Sequence, residues 1–529
     1  MFLYGMNCGD SLMASHQVCT RRHRPQRVQK TNRTKHRQIK KSNGMRRIVI
    51  TFILLHSLSV LHAQIMRDSV FVLPDSVKPF TIQNFFELII QHHPVVKQTL
   101  LLSETAKQEI RLARGSFDPK IETQFLLKHY NDTEYYRLFD AALKVPTRSP
   151  ITTTIGVERN TGENLNPEHY ISNEYNYRQL YVGIAVPLGK GLLTDERRTT
   201  LKQAQLFGDM MEAEQIKLTN KLLLEAAKDY WEWYYSFYNY RLAHSTVTVA
   251  EEIFRRTKLN FQGGEVSAID TVQARITLLE RLVNQQESLN SLKNQTLKIS
   301  TYLWDSLQNP VELPPTYAPA GESDMLLLTS TDVKALVDMA KANHPELRKL
   351  NVKLQQLELD RKLFREYMKP QVDLSYYKLN QPFSPEGINS NFTWNDNYKF
   401  GLDFSFPIFL RKERAKLEQT KLKLTNTKYD RDLAYRQILN DINTAYNELV
   451  NNGLVLQQQR AAVSLYYTLI NAEMTNLENG ESDLFKINIQ QEKLFNAQSK
   501  LIKGLAAYEK QKAILYWSAG TSPLSAIGR

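Results

Sequence analysis

The chain has 529 residues, too many for one ordinary domain, and its mean hydropathy of −0.43 argues against a helical membrane protein. The formal net charge of +13 comes mostly from residues 1–63, which hold 12 Lys and Arg but one acid, Asp10. The remainder has 68 − 12 = 56 basic and 55 − 1 = 54 acidic residues. A nucleic-acid partner is therefore not expected, because binding to phosphate requires a basic patch in the mature protein.

The N-terminal residues predict a leader rather than a folded domain. Residues 1–44 are basic, poor in apolar residues and without periodicity, which indicates a disordered or mis-assigned extension. From Met45 a signal-peptide pattern follows, with two arginines, an apolar run over 48–61 and a small residue before Gln64. We predict a signal peptide over 45–63 and Met45 as the true start; the alternative is a genuine basic arm.

Both cysteines, Cys8 and Cys19, lie in this leader. The mature chain would then have no disulfide, no thiol catalysis and no thiolate metal site, and no cysteine stands at the cleavage point to carry a lipid anchor. The sequence also lacks a Gly-rich phosphate loop, a Gly-x-Ser-x-Gly elbow and His-Glu-x-x-His. We therefore expect no enzyme, no cofactor and no metal site.

The rest of the chain repeats one layout twice, at offsets of 344 − 93 = 251 in its first part, 407 − 187 = 220 at the second predicted strand and 480 − 264 = 216 in its last part. The matched positions are His93 and His344, Pro119 and Pro370, Pro187 and Pro407, Arg198 and Arg414, Tyr230 and Tyr446, and Gly264 and Gly480. The predicted domains are a first repeat over 64–309, a Pro-rich linker over 310–329, a second repeat over 330–518 and a C-terminal tail over 519–529.

A histidine and a proline open each copy, at His93-Pro94 and His344-Pro345. Proline is favoured in the first turn of a helix, so both pairs predict the start of a helix of roughly 22 residues. A metal-binding role for the histidines is the alternative, and it is disfavoured because no second ligand recurs at a suitable spacing.

Four segments alternate apolar and polar residues, which predicts half-buried strands with one apolar face. They span about 119–130, 177–187, 370–379 and 398–407. Strands of this length with an apolar outside and a polar inside suit a membrane β-barrel, and the alternative is a sheet packed on a soluble core. Because four strands cannot close around a lumen, we expect several copies to assemble. The connections over 131–176 and 380–397 are predicted as exposed loops.

Two proline-free helices are predicted over about 195–259 and 412–477, each about 100 Å long. Apolar residues recur along them at coiled-coil spacings of three and four, as in the stripe Ile438, Ile442, Ala445 and Leu449. The aromatic cluster over 230–240 is interpreted as helix packing rather than a ligand site. Glycine-containing turns end both long helices and lead into return helices.

This order of elements resembles the TolC-type outer membrane efflux proteins. Their features are a helix opened by Asn-Pro, a helix-to-strand junction at proline and a second strand that ends in proline. The corresponding positions here are His93-Pro94 and His344-Pro345, Pro119 and Pro370, and Pro187 and Pro407. The resemblance covers roughly residues 80–518.

The helical tip of that family resembles Phe-x-Val-Gly-Leu-x-x-x-x-Asp, and the first tip matches its Phe, Gly and Asp. Glu265 and Glu481 stand in place of the apolar leucine, and Lys486 replaces the acid of the second tip. The resemblance places contacts with a periplasmic adaptor at Gly263, Gly264, Glu265, Gly480 and Glu481.

The resemblance implies a mainly α fold with a membrane β-barrel, formed by a homotrimer with 3 × 4 = 12 strands and a periplasmic helical tube. It implies an adaptor protein, an inner-membrane pump and outer membrane lipid as partners, in a Gram-negative bacterium. Near the second tip, Glu473, Glu478 and Asp483 form a candidate acidic entrance ring, with a solvated helix end as the alternative.

Three functions remain open at this stage. The first is a passive duct for small molecules, and the second is the exit duct of a type I protein or peptide secretion system. The third, from another class, is a soluble periplasmic coiled-coil scaffold. The sequence does not separate the first two, because the pump chooses the cargo.

Overall fold

The computed structural model describes residues 78–173, 176–320, 330–380 and 396–526. The predicted leader, the second half of the linker and most of the loop over 380–397 lie outside these ranges, so those predictions stay untested. Within the described ranges the chain runs twice through two short helices, strands, a very long helix and a return helix.

The first copy contains β1 (Lys78–Thr81), α1 (Ile82–His92), α2 (Pro94–Gly115), β2 (Lys120–Tyr130), β3 (Thr133–Pro146), β4 (Thr152–Thr161), β5 (Arg178–Pro187), α3 (Glu196–Gln262) and α4 (Ala268–Ser300). After β6 (Tyr317–Ala320), the second copy contains α5 (Ser330–Asn343), α6 (Pro345–Glu366), β7 (Gln371–Asn380), β8 (Tyr398–Ser405), α7 (Arg411–Glu478) and α8 (Leu484–Ser518).

The predicted loop over 131–176 is wrong, because β3 and β4 lie within it. The six long strands form one sheet, so the first copy contributes four strands and the second two, instead of two from each. Polar residues such as Asp140 and Lys144 stand on one face of β3. In the sequence they give the segment a loop-like polarity.

The linker is also more ordered than predicted. Its residues Tyr317–Ala320 form β6, which pairs in parallel with β1 at the start of the first copy. The hydroxyl of Tyr230, in the middle of α3, donates to the carbonyl oxygens of Phe80 and Ala320, each at 2.7 Å. Tyr230 therefore ties both short strands to the long helix.

The aromatic cluster around Tyr230 is a packed core. Phe85 and Phe86 from α1 are fully buried, and Phe85 stacks on Tyr230 with the ring centroids 5.9 Å apart. Trp233 lies edge-on to Tyr230 at 5.8 Å. These contacts are those of helix packing, as the sequence indicated, and burial raises the pKa of the Tyr230 hydroxyl.

The two His-Pro pairs act as helix starts. The Nδ1 atoms of His93 and His344 accept hydrogen bonds from the N–H groups of Val95 and Glu346, each at 3.2 Å. Each imidazole thus satisfies one of the free N–H groups of the first turn. Burial lowers the pKa of both histidines, which favours the neutral ring that can accept this bond.

The long helices α3 and α7 have 67 and 68 residues, or about 100 Å each. The stripe predicted on α7 is buried against α8 and α5, with Ile442 completely covered. On an adjacent stripe of the same helix, Tyr435 and Tyr446 are half-buried and Val450 is exposed. One apolar side of this helix is therefore covered within the chain, and the adjacent side is covered only in part.

The two helical hairpins lie side by side with their turns at one end. Lys510 of α8 donates to Glu232 of α3, and Ser499 donates to Asn239 at 2.7 Å. The residue number of the bonded side chain decreases along α8 as it increases along α3, so the two helices are antiparallel. The turns after α3 and α7 therefore lie at the same end, far from the sheet.

A Tyr230→Phe substitution tests the role of the buried hydroxyl. Because it leaves two buried carbonyl oxygens without this donor, we expect the free energy of unfolding to fall by about 1–3 kcal/mol. Thermal unfolding in detergent, followed by circular dichroism, measures this. Tyr170→Phe, at an exposed tyrosine, is the control. An unchanged melting temperature for Tyr230→Phe would show that the tie is unimportant.

A second prediction concerns acid sensitivity. Since burial lowers the folded-state pKa of His93 and His344, their contribution to stability is present above their unfolded pKa and is lost as pH falls below it. Asparagine caps helices without titrating. The His93→Asn, His344→Asn double variant should therefore lose less stability than the parent between about pH 7.5 and 5.5. The control is His92→Asn, which should keep the parental slope; equal slopes for all three proteins would refute the assignment.

Candidate functional site: the curled sheet and the helical tips

The six long strands form one antiparallel sheet in the order β2-β3-β4-β5-β7-β8. β2 and β7 leave the helical end of the molecule, and β5 and β8 return to it and lead into the long helices. Among the described residues, β2 and β8 are the end strands, and nearly every residue in them is exposed.

One face of this sheet is apolar and exposed. Leu143 of β3 pairs with Ile155 of β4, and Ile155 pairs with Val182 of β5, so one apolar row crosses three strands. The large exposed apolar residues of this face include Ile121, Phe125, Leu127, Leu143, Ile155, Val182, Ile184, Phe400, Leu402 and Phe404. An apolar face of this extent is typical of a protein or membrane contact.

The opposite face is polar and concave. It encloses a cavity of about 390 Å³ lined by residues of all six strands. The polar lining side chains are Glu122, Gln124, Asp140, Lys144, Thr154, Glu158, Tyr181, Tyr377 and Lys399. Lys399 of β8 comes within 3.9 Å of Glu158 of β4, although β5 and β7 lie between them. The sheet is therefore curled around its polar side.

A tyrosine and a glycine connect β3 and β4 to β5 on the concave face of the sheet. Tyr181 of β5 lies across Gly156 of β4, where a Cβ atom would be 2.3 Å from the ring. Its hydroxyl reaches Asp140 of β3 and donates to Oδ1 at 2.8 Å. Only glycine leaves room for the ring to span β4, so these residues couple three strands.

Sequence reasoning missed the hairpin that adds β3 and β4. Its signal is the Asn131-Asp132 pair, two residues with positive φ (48° and 57°) between β2 and β3. A two-residue turn of this kind matches the twist of a hairpin. In the sequence the pair sits inside a long polar stretch, which hides the alternation that follows.

The two tips share one turn geometry. Gly264 and Gly480 have φ of +79° and +77°, a conformation that favours glycine, and Gly263 before the first of them has an ordinary φ of −79°. The N–H groups of Glu265 and Glu481 then donate to the carbonyl oxygen five residues earlier, at 2.9 and 2.8 Å. All five predicted adaptor-contact residues are exposed.

The return helices begin with different caps. In the first tip Asp270 accepts from the N–H of Ser267 at 2.9 Å and from its hydroxyl at 2.8 Å. In the second tip Asp483 accepts from the N–H of Lys486 at 2.8 Å. The second tip thus has Lys486 at the position of the family's acid, and its acidic cap is Asp483, three residues earlier, at the N-cap.

The predicted acidic ring is only partly described. Glu473 accepts a hydrogen bond from the hydroxyl of Ser482, and Asp483 caps α8. The side chain of Glu478 lies outside the described part of the structure. Glu473 and Asp483 thus lie beside one turn and have local hydrogen-bonding roles there, and the ring itself stays a prediction.

Exposed apolar side chains flank the tips, and sequence reasoning did not assign them. Phe261, Ile269 and Val272 surround the first turn, and Met474 and Phe485 surround the second. They lie just outside the turn motif that drew attention to the glycines and acids. Each tip thus combines exposed apolar residues with one acidic residue next to the glycine.

Two further observations concern the described residues alone. They contain no group of His, Cys, Asp or Glu side chains that could hold a metal ion. None of their helices has an apolar stretch that would suffice to cross a membrane.

The comparisons with known proteins identify the second copy by sequence and the whole arrangement by fold. Residues 336–521 match the family model of the outer membrane efflux proteins. The outer-membrane channel OprN has a TM-score of 0.60 at 13% identity, with 84% of this chain and 90% of that chain covered. CmeC of Campylobacter jejuni gives 0.56 at 14% identity, covering 83% and 85% of the two chains. MtrE of Neisseria gonorrhoeae, in its open state, gives 0.56 at 12%, covering 83% and 89%.

A search of curated protein sequences gives no match. The structural neighbours share the fold of this chain, and the sequence match falls on its second repeat. Residues 336–521 therefore match the outer membrane efflux protein family, and the described structure has the fold of TolC-type outer membrane channels.

Proposed function

We propose that this chain is the outer membrane channel of a tripartite export system. Three copies form a passive duct that carries small molecules from the periplasm or from an inner-membrane pump to the exterior. The observation that carries this proposal is the curled sheet, apolar on its convex face and polar on its concave face, joined to helices about 100 Å long.

The sheet supports a membrane location. Lipid accepts β-structure only in closed barrels, because every N–H and C=O in hydrocarbon needs a partner. A single chain leaves the outer edges of β2 and β8 open in the described structure. Pairing these edges between copies closes the barrel, turns the apolar rows to lipid and lines the lumen with polar side chains such as Glu158 and Lys399.

The tips support docking to a periplasmic adaptor. They lie at the end of the molecule farthest from the sheet and expose Phe261 and Phe485 beside Glu265 and Glu481. We propose that an adaptor with a basic tip contacts Gly263, Gly264 and Gly480 and pairs with the two glutamates. Energy for transport comes from the pump, because a duct of this kind has no energy source of its own.

The acidic residues of the second tip extend this proposal. Glu473, Glu478 and Asp483, repeated in three copies, form a ring at the entrance and favour cationic cargo. The N-cap hydrogen bond from the N–H of Lys486 holds the Asp483 carboxylate at this turn.

The other two functions are weaker. A type I secretion exit duct uses the same channel, and no observation on this chain favours it over small-molecule export. A soluble scaffold conflicts with the exposed apolar face, which includes Ile121, Phe400 and Phe404. A face of this kind in water leads to aggregation.

The partner identifies the cargo class. In intact cells, a Glu265→Cys variant lacking Cys8 and Cys19 is cross-linked, and the captured protein is identified by mass spectrometry. An adaptor encoded with a drug or metal pump supports the proposal, and a peptide-exporter adaptor supports the secretion alternative. Capture of this chain alone, or of soluble periplasmic proteins, contradicts the docking assignment.

The charge of the tips makes a quantitative prediction. In the Glu265→Lys, Glu481→Lys double variant, an adaptor with a basic tip meets like charge in place of opposite charge. We expect its affinity to fall by roughly tenfold or more, since an interfacial charge reversal costs on the order of 1–3 kcal/mol. Binding of the isolated adaptor to the channel in detergent measures this.

The matched control is the Glu287→Lys, Glu448→Lys double variant. It makes the same charge change at exposed positions on α4 and α7, away from the turns. The control should bind the adaptor as the parent does. Equal affinity of the tip variant and the control would show that the tip glutamates do not contact the adaptor.

A further inference from the structure

We propose that three copies of this chain close a barrel of 3 × 6 = 18 strands, half as many again as a barrel with four strands per copy. This inference rests on the proposed trimeric duct. The inference adds one specific claim to that proposal. The hairpin of β3 and β4 is part of the membrane-spanning wall of the barrel and does not project above the membrane as a loop.

The outer face of the hairpin matches that of its neighbours. Leu143 and Ile155 are 38% and 44% exposed, and Val182 of β5, in the same row, is 44% exposed. β3 and β4 have 14 and 10 residues, and a strand that crosses a membrane needs about 9–11. The hairpin therefore has the length, the height and the apolar face of a membrane-spanning pair.

The inner face of the hairpin is joined to both flanking strands. On one side Lys144 of β3 forms an ion pair with Glu122 of β2 at 2.7 Å. On the other side Tyr181 of β5 crosses Gly156 to reach Asp140. β2 thus has no contact with β5 in the sheet, because β3 and β4 fill the space between them.

The two open edges fit each other in successive copies. β2 runs away from the helical end and β8 runs back to it, so β2 of one copy is antiparallel to β8 of the next, as in the rest of the sheet. Both strands turn apolar residues outward, with Phe125 and Phe404 among them. This head-to-tail contact closes into a ring, and each copy adds six strands to it.

The extra strands widen the pore. Barrel diameter grows roughly in proportion to strand number, so 18 strands give about 1.5 times the diameter of 12 and about twice the cross-section. A barrel of this size holds an aqueous channel. The passage through the membrane is therefore wider than that of a barrel with four strands per copy.

Single cysteines on the hairpin test the claim. In a background without Cys8 and Cys19, each of Leu143→Cys and Ile155→Cys faces lipid, and each of Lys144→Cys and Glu158→Cys faces the lumen. In liposomes, a charged maleimide should label the first pair about tenfold more slowly or worse than the second, because a thiolate does not form in hydrocarbon. Val182→Cys on β5 is the control for the lipid face.

The outcomes separate the two claims. Protection of Leu143→Cys, Ile155→Cys and Val182→Cys supports the six-strand wall. Rapid labelling of all four hairpin cysteines with Val182→Cys protected overturns it, since the hairpin then lies outside the membrane while the duct survives. Rapid labelling of Val182→Cys as well removes the sheet from lipid, and both proposals fail.

Edge pairing is tested independently of labelling. Phe125→Cys in β2 is combined in turn with Phe400→Cys, Leu402→Cys and Phe404→Cys in β8, and the disulfide-linked products are separated by size. One pair should give linked dimers and trimers and nothing larger. Larger ladders, or no linked product from any of the three pairs, would contradict a closed ring of three copies.

Discussion

In the proposed duct, the need to pair every backbone hydrogen-bonding group in lipid is the constraint on which the rest of the structure depends. A sheet meets this need only when it closes, and the sheet of one copy ends at β2 and β8 with its edges open. Its outer rows are apolar and its concave face carries both signs of charge, including Glu158 and Lys399. In the proposed duct, the closed barrel is therefore a property of the assembly, in which both open edges pair with neighbouring copies.

The same sheet positions the helices. Between β5 and α3, the N–H of Leu193 donates to Glu366 of α6 at 3.1 Å. Glu366 is 4% exposed and also pairs with Lys369 at 2.8 Å, which supplies the opposite charge that a buried carboxylate requires. This contact joins the first copy to the second near the point where β5 leads into α3.

The sequence predicted those parts of the fold in which the apolar periodicity of a segment agrees with the proline and glycine residues at its ends. The His-Pro starts, the span of α3 and α7 and the glycines of the tips follow from local rules, and the structure has these elements within a few residues of the predicted bounds. The hairpin of β3 and β4 escaped prediction because Asp140 and Lys144, which line the concave face of the sheet, have the polarity of loop residues in the sequence. The ring that lies over Gly156 comes from Tyr181, a residue of another strand. No local sequence pattern shows this contact.

Electron cryo-microscopy of the full chain in lipid nanodiscs tests the central claim most directly. A section through the membrane region counts the strands of the wall and gives its symmetry. The account predicts threefold symmetry, 3 × 6 = 18 strands and a helical tube on one side of the membrane. A barrel of 12 strands, with the β3–β4 hairpin projecting above it, or a particle without threefold symmetry, would contradict the account.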